Sequence, residues 1–192
     1  MPAPTQVTLT GKYIQLEPLR ETHRNILEPI SQDERISKYS PALKLKYNAW
    51  FDKALKSYPD TPQLSFIVRR LVDDKIVGST RFYEINQEHK KLTIGYTWYI
   101  QEVWGSPINA ECKLLLLQYV FDELQMNRIE FFIDSRNKRS CAAVKKLGAK
   151  EEGILREHIV LEDGFIRDTV VYSILKKEWS MVLHDLQERL NQ

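Results

Sequence analysis

Two stretches of this chain have residue types at spacings that could hold an anion. In IQEVWGSPINA, Ile100 to Ala110, a strand ending near Ile100 gives way to a short loop. There Ser106-Pro107 sets a capping side chain before the residue favoured at the first helical position. The first amides of a helix have no partner within it and the helix dipole reinforces them, so a phosphate fits such a turn. The loop contains neither GK[ST] nor GxGxxG, so it is not a Walker A loop or a dinucleotide fingerprint. Every strand-to-helix turn offers the same groups, and an ordinary capped helix explains the segment as well. The second stretch begins at Asn137. Ser140 lies one helical turn later on the same face, so the two side chains reach one ligand together. Capping for Asn137 and a harmless small residue for Ser140 are the competing readings. Lys113, Arg136, Lys138 and Arg139 cluster around these helix starts, where a solvated helix face also accounts for them.

The elements that must position these residues are legible as periodicities. Ile14 and Leu16 alternate with Tyr13, Gln15 and Glu17 in a first strand that Pro18 ends. Helical patterns follow over Arg20 to Ile30, and over a segment capped by Asn48 that buries Trp50, Phe51, Ala54, Leu55 and Tyr58. From Leu64 the period becomes two, and Asp73-Asp74 turns the chain into a hairpin with Ile76 to Glu84. A strand over Leu92 to Ile100 comes next. The helix opened by Ser106-Pro107 carries an apolar stripe through Ile108, Cys112, Leu115, Leu116, Tyr119 and Leu124. Arg128 to Asp134 reads as a buried strand. Asn137 to Leu147 reads as a helix that Lys145, Lys146 and Gly148 close. Ile154 to Leu161 and Phe165 to Leu175 flank the hairpin dipeptide Asp163-Gly164, and Trp179 to Leu190 forms a last amphipathic helix. The expected fold is α+β: one mixed, mostly antiparallel sheet of about seven strands with helices on both faces.

Composition narrows the class further. The chain has 192 residues, 43% hydrophobic and 28% charged, without internal repeats or linkers, so a single domain spanning 1–192 is expected. Twenty-eight Lys and Arg against 26 Asp and Glu leave +2, too balanced for a duplex nucleic-acid binder. Cys112 and Cys141 are too few for a disulfide framework, and no four-ligand zinc spacing surrounds them, so buried thiols and no metal are expected. The start MPAPTQVTLT has no basic n-region or apolar h-region and no run is long enough for a span, so the expectation is a cytoplasmic protein without a membrane partner.

The segments IGYTWYIQEVWGSPINAECKLLLLQYVFDEL, NRIEFFIDSRNKRSCAAVKKLGAKEEGILREH and DGFIRDTVVYSILKKEW resemble the GNAT superfamily of N-acetyltransferases. They are most similar to the branch of bacterial ribosomal-protein N-terminal acetyltransferases, and the likeness runs from about Leu9 to Leu190. It implies acetyl-CoA as co-substrate, in a cleft where the strand Leu92 to Ile100 splays from Arg128 to Asp134. The pantetheine arm would pair with the backbone of Tyr99, Ile100 and Gln101. The pyrophosphate would sit on the amides of Gly105, Ser106, Ile108, Asn109 and Ala110, with the Ser106 hydroxyl as a further donor. The superfamily's pyrophosphate motif falls on Trp104, Pro107 and Asn109 and matches none of them: Pro107 has no N–H, and Asn109 has a side chain where glycine is usual.

The resemblance further assigns Asn137 to the cofactor arm. The tyrosine that many members use as general acid is Val144 here, which leaves Ser140 as the candidate to protonate the leaving thiolate. An amine must lose a proton before it attacks a thioester, so a base is needed. Glu111, Glu157, His158 and Asp168 are the candidates, with His158 best suited to a proton near neutral pH. Structural roles compete for His158 and for Glu111, whose charge also suits the first turn of its helix. Arg81, Tyr83 and Trp98 belong to the strands expected beside the acceptor, with core packing as the competing role for each aromatic. The implied activity is direct transfer to an amine acceptor, a protein N-terminus or alternatively a small amine such as a polyamine, amino acid or aminoglycoside-like molecule. A non-catalytic acyl-CoA-binding module is the reading from another class, and a homodimer is compatible with this branch.

Overall fold

The computed structural model describes residues 3–191. Eight strands form one sheet: β1 (Leu9–Thr10), β2 (Ile14–Pro18), β3 (Leu64–Arg70), β4 (Lys75–Asn86), β5 (Lys91–Tyr99), β6 (Arg128–Asp134), β7 (Lys150–Val160) and β8 (Ile166–Leu175). Their order across the sheet is β1-β2-β3-β4-β5-β6-β8-β7. Every neighbouring pair is antiparallel except β5 and β6. The expected architecture is found, with the short β1 as an additional strand that the sequence pattern did not mark.

The seven helices are α1 (Arg24–Ser31), α2 (Glu34–Ser37), α3 (Ala42–Leu45), α4 (Tyr47–Leu55), α5 (Ile108–Gln118), α6 (Lys138–Lys146) and α7 (Trp179–Asn191). Two apolar clusters, one on each face of the sheet, hold the layers together. Leu27, Tyr47, Trp50, Phe51 and Ala54 from the early helices pack on Ile67, Ile76 and Trp98. Cys112, Leu116, Val144, Trp179, Val182 and Leu186 from α5, α6 and α7 pack on Phe66, Phe82, Ile129 and Tyr172. Truncating one of the buried phenylalanines would cost about 3 to 5 kcal/mol, so both faces are strongly held. No helix among the described residues is long and apolar enough to cross a membrane.

Several boundaries depart from the sequence reading: Pro18 is the last residue of β2, α1 begins at Arg24 where the pattern reads a helix from Arg20, and β7 begins at Lys150 where it reads a strand from Ile154. Asn48 lies inside α4 and caps nothing, because the helix begins one residue earlier; its Oδ1 instead accepts from Arg24 Nη1 at 3.2 Å. Tyr58 lies beyond the end of α4, in the loop leading to β3. Asn137 and Gly148 behave as read. The Asn137 side chain caps α6, and Gly148 closes it at φ +99°.

The parallel β5–β6 pairing decides where a ligand can enter. Its register runs only over Lys91↔Arg128, Leu92↔Ile129 and Thr93↔Glu130, although β5 continues to Tyr99 and β6 to Asp134. Beyond Thr93 the two strands diverge, and β5 turns an unpaired edge to the gap between them. Tyr96, at φ +51°, lies on this diverging stretch, where the β4–β5 register also shifts.

Candidate active site

The gap between β5 and β6 opens into a cavity of about 1140 Å³. Its floor and walls come from Ile94 to Tyr99 on β5, Phe131 to Asp134 on β6, the turn Val103 to Pro107 with Asn109 and Ala110, and the facing side chains of α5 and α6. Trp50 and Lys53 of α4, with Thr61 to Gln63, also line it.

The turn before α5 was expected to present five amides, and its hydrogen bonds reduce these to three. The Ser106 amide donates to Val103 O at 3.3 Å, and the Ile108 amide leans on Ser106 Oγ at 3.4 Å. The Ser106 hydroxyl hands its proton to Val103 O at 2.6 Å, so it is a turn-former and not the further donor expected. Among the described residues the amides of Gly105, Asn109 and Ala110 have no acceptor, and all three residues line the cavity. Gly105 takes φ +79° to aim this turn. Trp104, the first of the three motif positions that depart from the resemblance, is clamped: its Nε1 donates to Tyr99 O at 3.0 Å, and the Arg139 guanidinium lies 3.8 Å over its ring. A cation therefore stands beside the three free amides. Phosphate oxygens match this set, being acceptors only and negatively charged.

The same bonds correct the expected pantetheine edge. Tyr99 O already accepts from Trp104, the Ile100 amide donates to Val77 O at 2.9 Å, and Gln101 O accepts from the Trp104 amide at 3.0 Å. Ile100, Gln101 and Ile108 do not line the cavity. The free edge available to an extended arm is the β6-facing side of β5 from Ile94 onward, whose other side is paired with β4.

Asn137 and Ser140 both line the cavity. Asn137 Oδ1 accepts the Ser140 amide at 3.1 Å, so the capping role read from sequence is present, and the Asn137 Nδ2 protons remain available to a ligand. Val144 lines the same wall.

Of the four candidate bases, geometry retains one. Glu111 is buried and turned away from the cavity: its carboxylate accepts the amides of Lys12, Tyr13 and Ile14 at 2.6, 2.8 and 2.9 Å. A Cβ on Gly11 would lie 2.5 Å from the Glu111 Cδ, so glycine there permits this approach. Glu111 thus anchors the start of β2, which corrects its expected role as a base. Asp168 holds the Glu157 amide at 2.7 Å where β7 bulges at φ +50°, and neither residue lines the cavity. His158 does line it. Its ring stacks on Phe132 with centroids 6.2 Å apart, and its Nδ1 meets Thr169 Oγ1 at 3.1 Å, which leaves Nε2 toward other partners. A carboxylate the sequence reading missed, Glu84, also lines the cavity and accepts from Thr93 Oγ1 at 3.1 Å. Its φ of +52°, at a register shift in β4, places it there, and no sequence pattern marks that bulge.

The basic residues separate in the same way. Arg136 is bound to Asp134 at 2.6 Å and lies over the Phe165 ring at 3.4 Å. Lys138 does not line the cavity, whereas Arg139 does. Lys113, expected on the surface near the phosphates, is buried in the cavity wall, where its Nζ meets Thr97 Oγ1 at 3.1 Å. Burial without a carboxylate partner pushes its pKa below that of an ordinary lysine. Tyr83 and Trp98 line the cavity; Arg81 lies behind that lining, buried beside Gln63.

Residues 14–150, well over half of the chain, match the family model described as an acetyltransferase (GNAT) domain. The chain belongs to the GNAT acetyltransferase family. It is 33% identical over 109 residues to the Bacillus subtilis (strain 168) protein named "Putative ribosomal N-acetyltransferase YdaF", covering 57% of this chain and 58% of that one. The matched stretch spans less than two thirds of the length of the first curated relatives. A GCN5-related N-acetyltransferase from Brucella melitensis superposes with a TM-score of 0.87 at 31% identity, covering 97% of this chain and 86% of that one. Mycobacterium smegmatis RimJ, solved with CoA-disulfide, shares the fold with a TM-score of 0.78 at 20% identity, over 92% and 88% of the two chains.

Proposed function

We propose that this GNAT protein is an acetyl-CoA-dependent N-acetyltransferase that moves the acetyl group directly to a primary amine, with both substrates bound together. The observation that carries this reading is the trio of free amides at Gly105, Asn109 and Ala110, backed by Arg139, at the mouth of a cleft made by diverging strands. Acetyl-CoA supplies a thioester carbonyl open to attack by an amine. The chain's own residues do the rest. The amides and Arg139 hold the pyrophosphate, the β5 edge from Ile94 orients the extended arm, and Asn137 Nδ2 adds a hydrogen bond to it. His158 Nε2 takes the proton that the incoming ammonium must lose before its nitrogen forms the new C–N bond. As the C–S bond breaks, the Ser140 hydroxyl returns a proton to sulfur and is re-protonated from solvent, while the newly acylated nitrogen gives up its second proton to solvent and becomes the neutral amide.

The reading predicts acetyl-CoA binding in the micromolar range, about −8 kcal/mol, in a calorimetric titration. It also predicts release of free CoA when a panel of amines is added. No binding at millimolar cofactor would overturn it.

A further inference from the structure

Among the described residues two carboxylates line the cavity, Asp134 and Glu84. Asp134 is occupied, because its two oxygens accept from the Arg136 side chain at 2.9 and 2.6 Å. Glu84 makes no ion pair with any described residue. The cations at this end of β5 and β6, Lys91 and Arg128, are held by Glu130 instead. Glu84 is exposed, and its carboxylate accepts one hydrogen bond, from Thr93 Oγ1 at 3.1 Å. A carboxylate has about four lone-pair positions, so most of its accepting capacity is open to a ligand.

Thr93 fixes where in the cleft this charge stands. It is the last residue of β5 in register with β6, opposite Glu130, so Glu84 lies at the closed end of the cleft. The turn with the free amides, Gly105 to Ala110, lies beyond the other end of β5. An arm laid along the β5 edge from that turn runs from Tyr99 toward Ile94 and carries its thioester toward Glu84. The backbone is bent to put the carboxylate there. Glu84 takes φ +52°, a left-handed conformation costly for a residue with a Cβ, at a register shift between Tyr83 and Asn86. Glycine suits such a backbone better, so the bend itself does not call for glutamate; strain of this kind persists where the group it aims has a task. The neighbouring strands are bulged in the same way, at Tyr96 on β5 with φ +51° and beside His158 on β7, where Glu157 has φ +50°.

An incoming amine supplies what this carboxylate lacks. At neutral pH an alkylamine is an ammonium, with three N–H donors and a positive charge. The rings of Tyr83 and Tyr96, with centroids 5.2 Å apart and planes at 72°, line the same cavity, and aromatic faces also attract a cation. We infer that Glu84 receives the acceptor: its carboxylate holds the reacting amine as an ammonium at the closed end of the cleft, and so selects charged alkylamines over neutral arylamines. This rests on the proposed acetyltransferase reading and deepens it. Glu84 holds the ammonium by charge and hydrogen bond, and His158 remains the group that takes its proton.

Benzylamine and p-toluidine test this as a pair, being isomers with the same ring of which the first is an ammonium at neutral pH and the second is neutral. The full chain is assayed with acetyl-CoA, with free CoA as the readout, and spermidine and a Ser-Ala dipeptide serve as further alkylammonium acceptors. Glu84→Gln keeps an oxygen for Thr93 and loses the charge. The KM for the alkylamines should rise about 10- to 100-fold, the worth of one charge-assisted hydrogen bond, while p-toluidine and acetyl-CoA change less than about threefold. An equal change for both isomers, or no change for any amine, overturns the inference. Glu84→Gly distinguishes acceptor binding from a structural role: it relieves the positive φ, so the melting temperature should hold or rise while the alkylamine KM increases as in Glu84→Gln. A lower melting temperature with unchanged KM makes Glu84 a brace for the bulge and overturns the assignment. Where no amine of the set is turned over, binding decides: benzylamine and the uncharged benzyl alcohol are titrated by calorimetry into the CoA-loaded protein. Benzylamine should bind roughly tenfold more tightly, and Glu84→Gln should abolish the difference. Equal affinity, or binding of neither, overturns the inference. Failure of acetyl-CoA itself to bind the wild-type chain overturns the transferase reading and this assignment together.

Discussion

The helix starts at α5 and α6 flank the same cleft and differ in what they do with their first amides. At α6 the Asn137 side chain takes the Ser140 amide and Arg136 O takes that of Lys138, so only the Arg139 amide is left over. At α5 no side chain provides a conventional cap: Pro107 has no N–H, Ser106 turns its proton to Val103 O, and the amides of Gly105, Asn109 and Ala110 stay open. The first-turn acid that would compete for those amides, Glu111, is engaged with β2. A capped helix start is a stability device, whereas an uncapped one keeps its potential for a ligand.

The largest expected effect tests that diversion of Glu111. Glu111→Ala leaves the buried Ile14 amide and the more accessible amides of Lys12 and Tyr13 without their acceptor, and at roughly 1 to 3 kcal/mol for an unsatisfied buried group, with smaller losses for the two that water can reach, the loss of stability should be about 3 kcal/mol. Urea unfolding measures it, with turnover per folded molecule unchanged. A variant that keeps its stability but loses turnover would return Glu111 to the list of bases.

Next is Ser140→Ala, at the start of α6. A proton donor to the leaving sulfur acts in the transition state, so kcat should fall about 100-fold while acetyl-CoA affinity stays nearly constant. Retention of more than half the wild-type kcat at saturating acceptor would make Ser140 a packing residue.

Smaller effects compare the two turns directly. A Cβ at Gly105 meets nothing within 4 Å, but φ +79° costs a non-glycine residue roughly 1 to 2 kcal/mol. Gly105→Ala should therefore re-aim the turn and weaken acetyl-CoA about tenfold. Asn137→Ala should instead show chiefly in the melting curve, as the loss of a cap worth about 1 kcal/mol, with a smaller change in affinity. The contrast fails if Asn137→Ala costs more cofactor affinity than Gly105→Ala.

Much of this was legible before any coordinates. The β3–β4 hairpin and the order of helices follow from periods of two and 3.6 and from turn residues such as Asp163-Gly164. The cap at Asn137 and the closure at Gly148 are local chemistry, complete within one turn of chain. Roles that depend on distant partners were not legible. The ligands of Glu111 lie 97 to 99 positions away in sequence. Lys113 reads as a surface cation because nothing nearby in sequence shows that α5 presses it beneath Thr97. Glu84 reaches the cavity only because β4 slips register.

The sequence alone determined the class of fold, the two helix starts, and, through three blocks of resemblance, the family. It could do so because propensity, periodicity and capping act over a few residues. Only the tertiary structure decided which amides at the α5 turn stay free, where β5 and β6 part, which candidate base faces the cleft, and that Glu84 stands there without an ion pair among the described residues. Each of these is a difference between groups that find a partner across the fold and groups that do not, and such pairing exists only once the distant strands and helices are packed together.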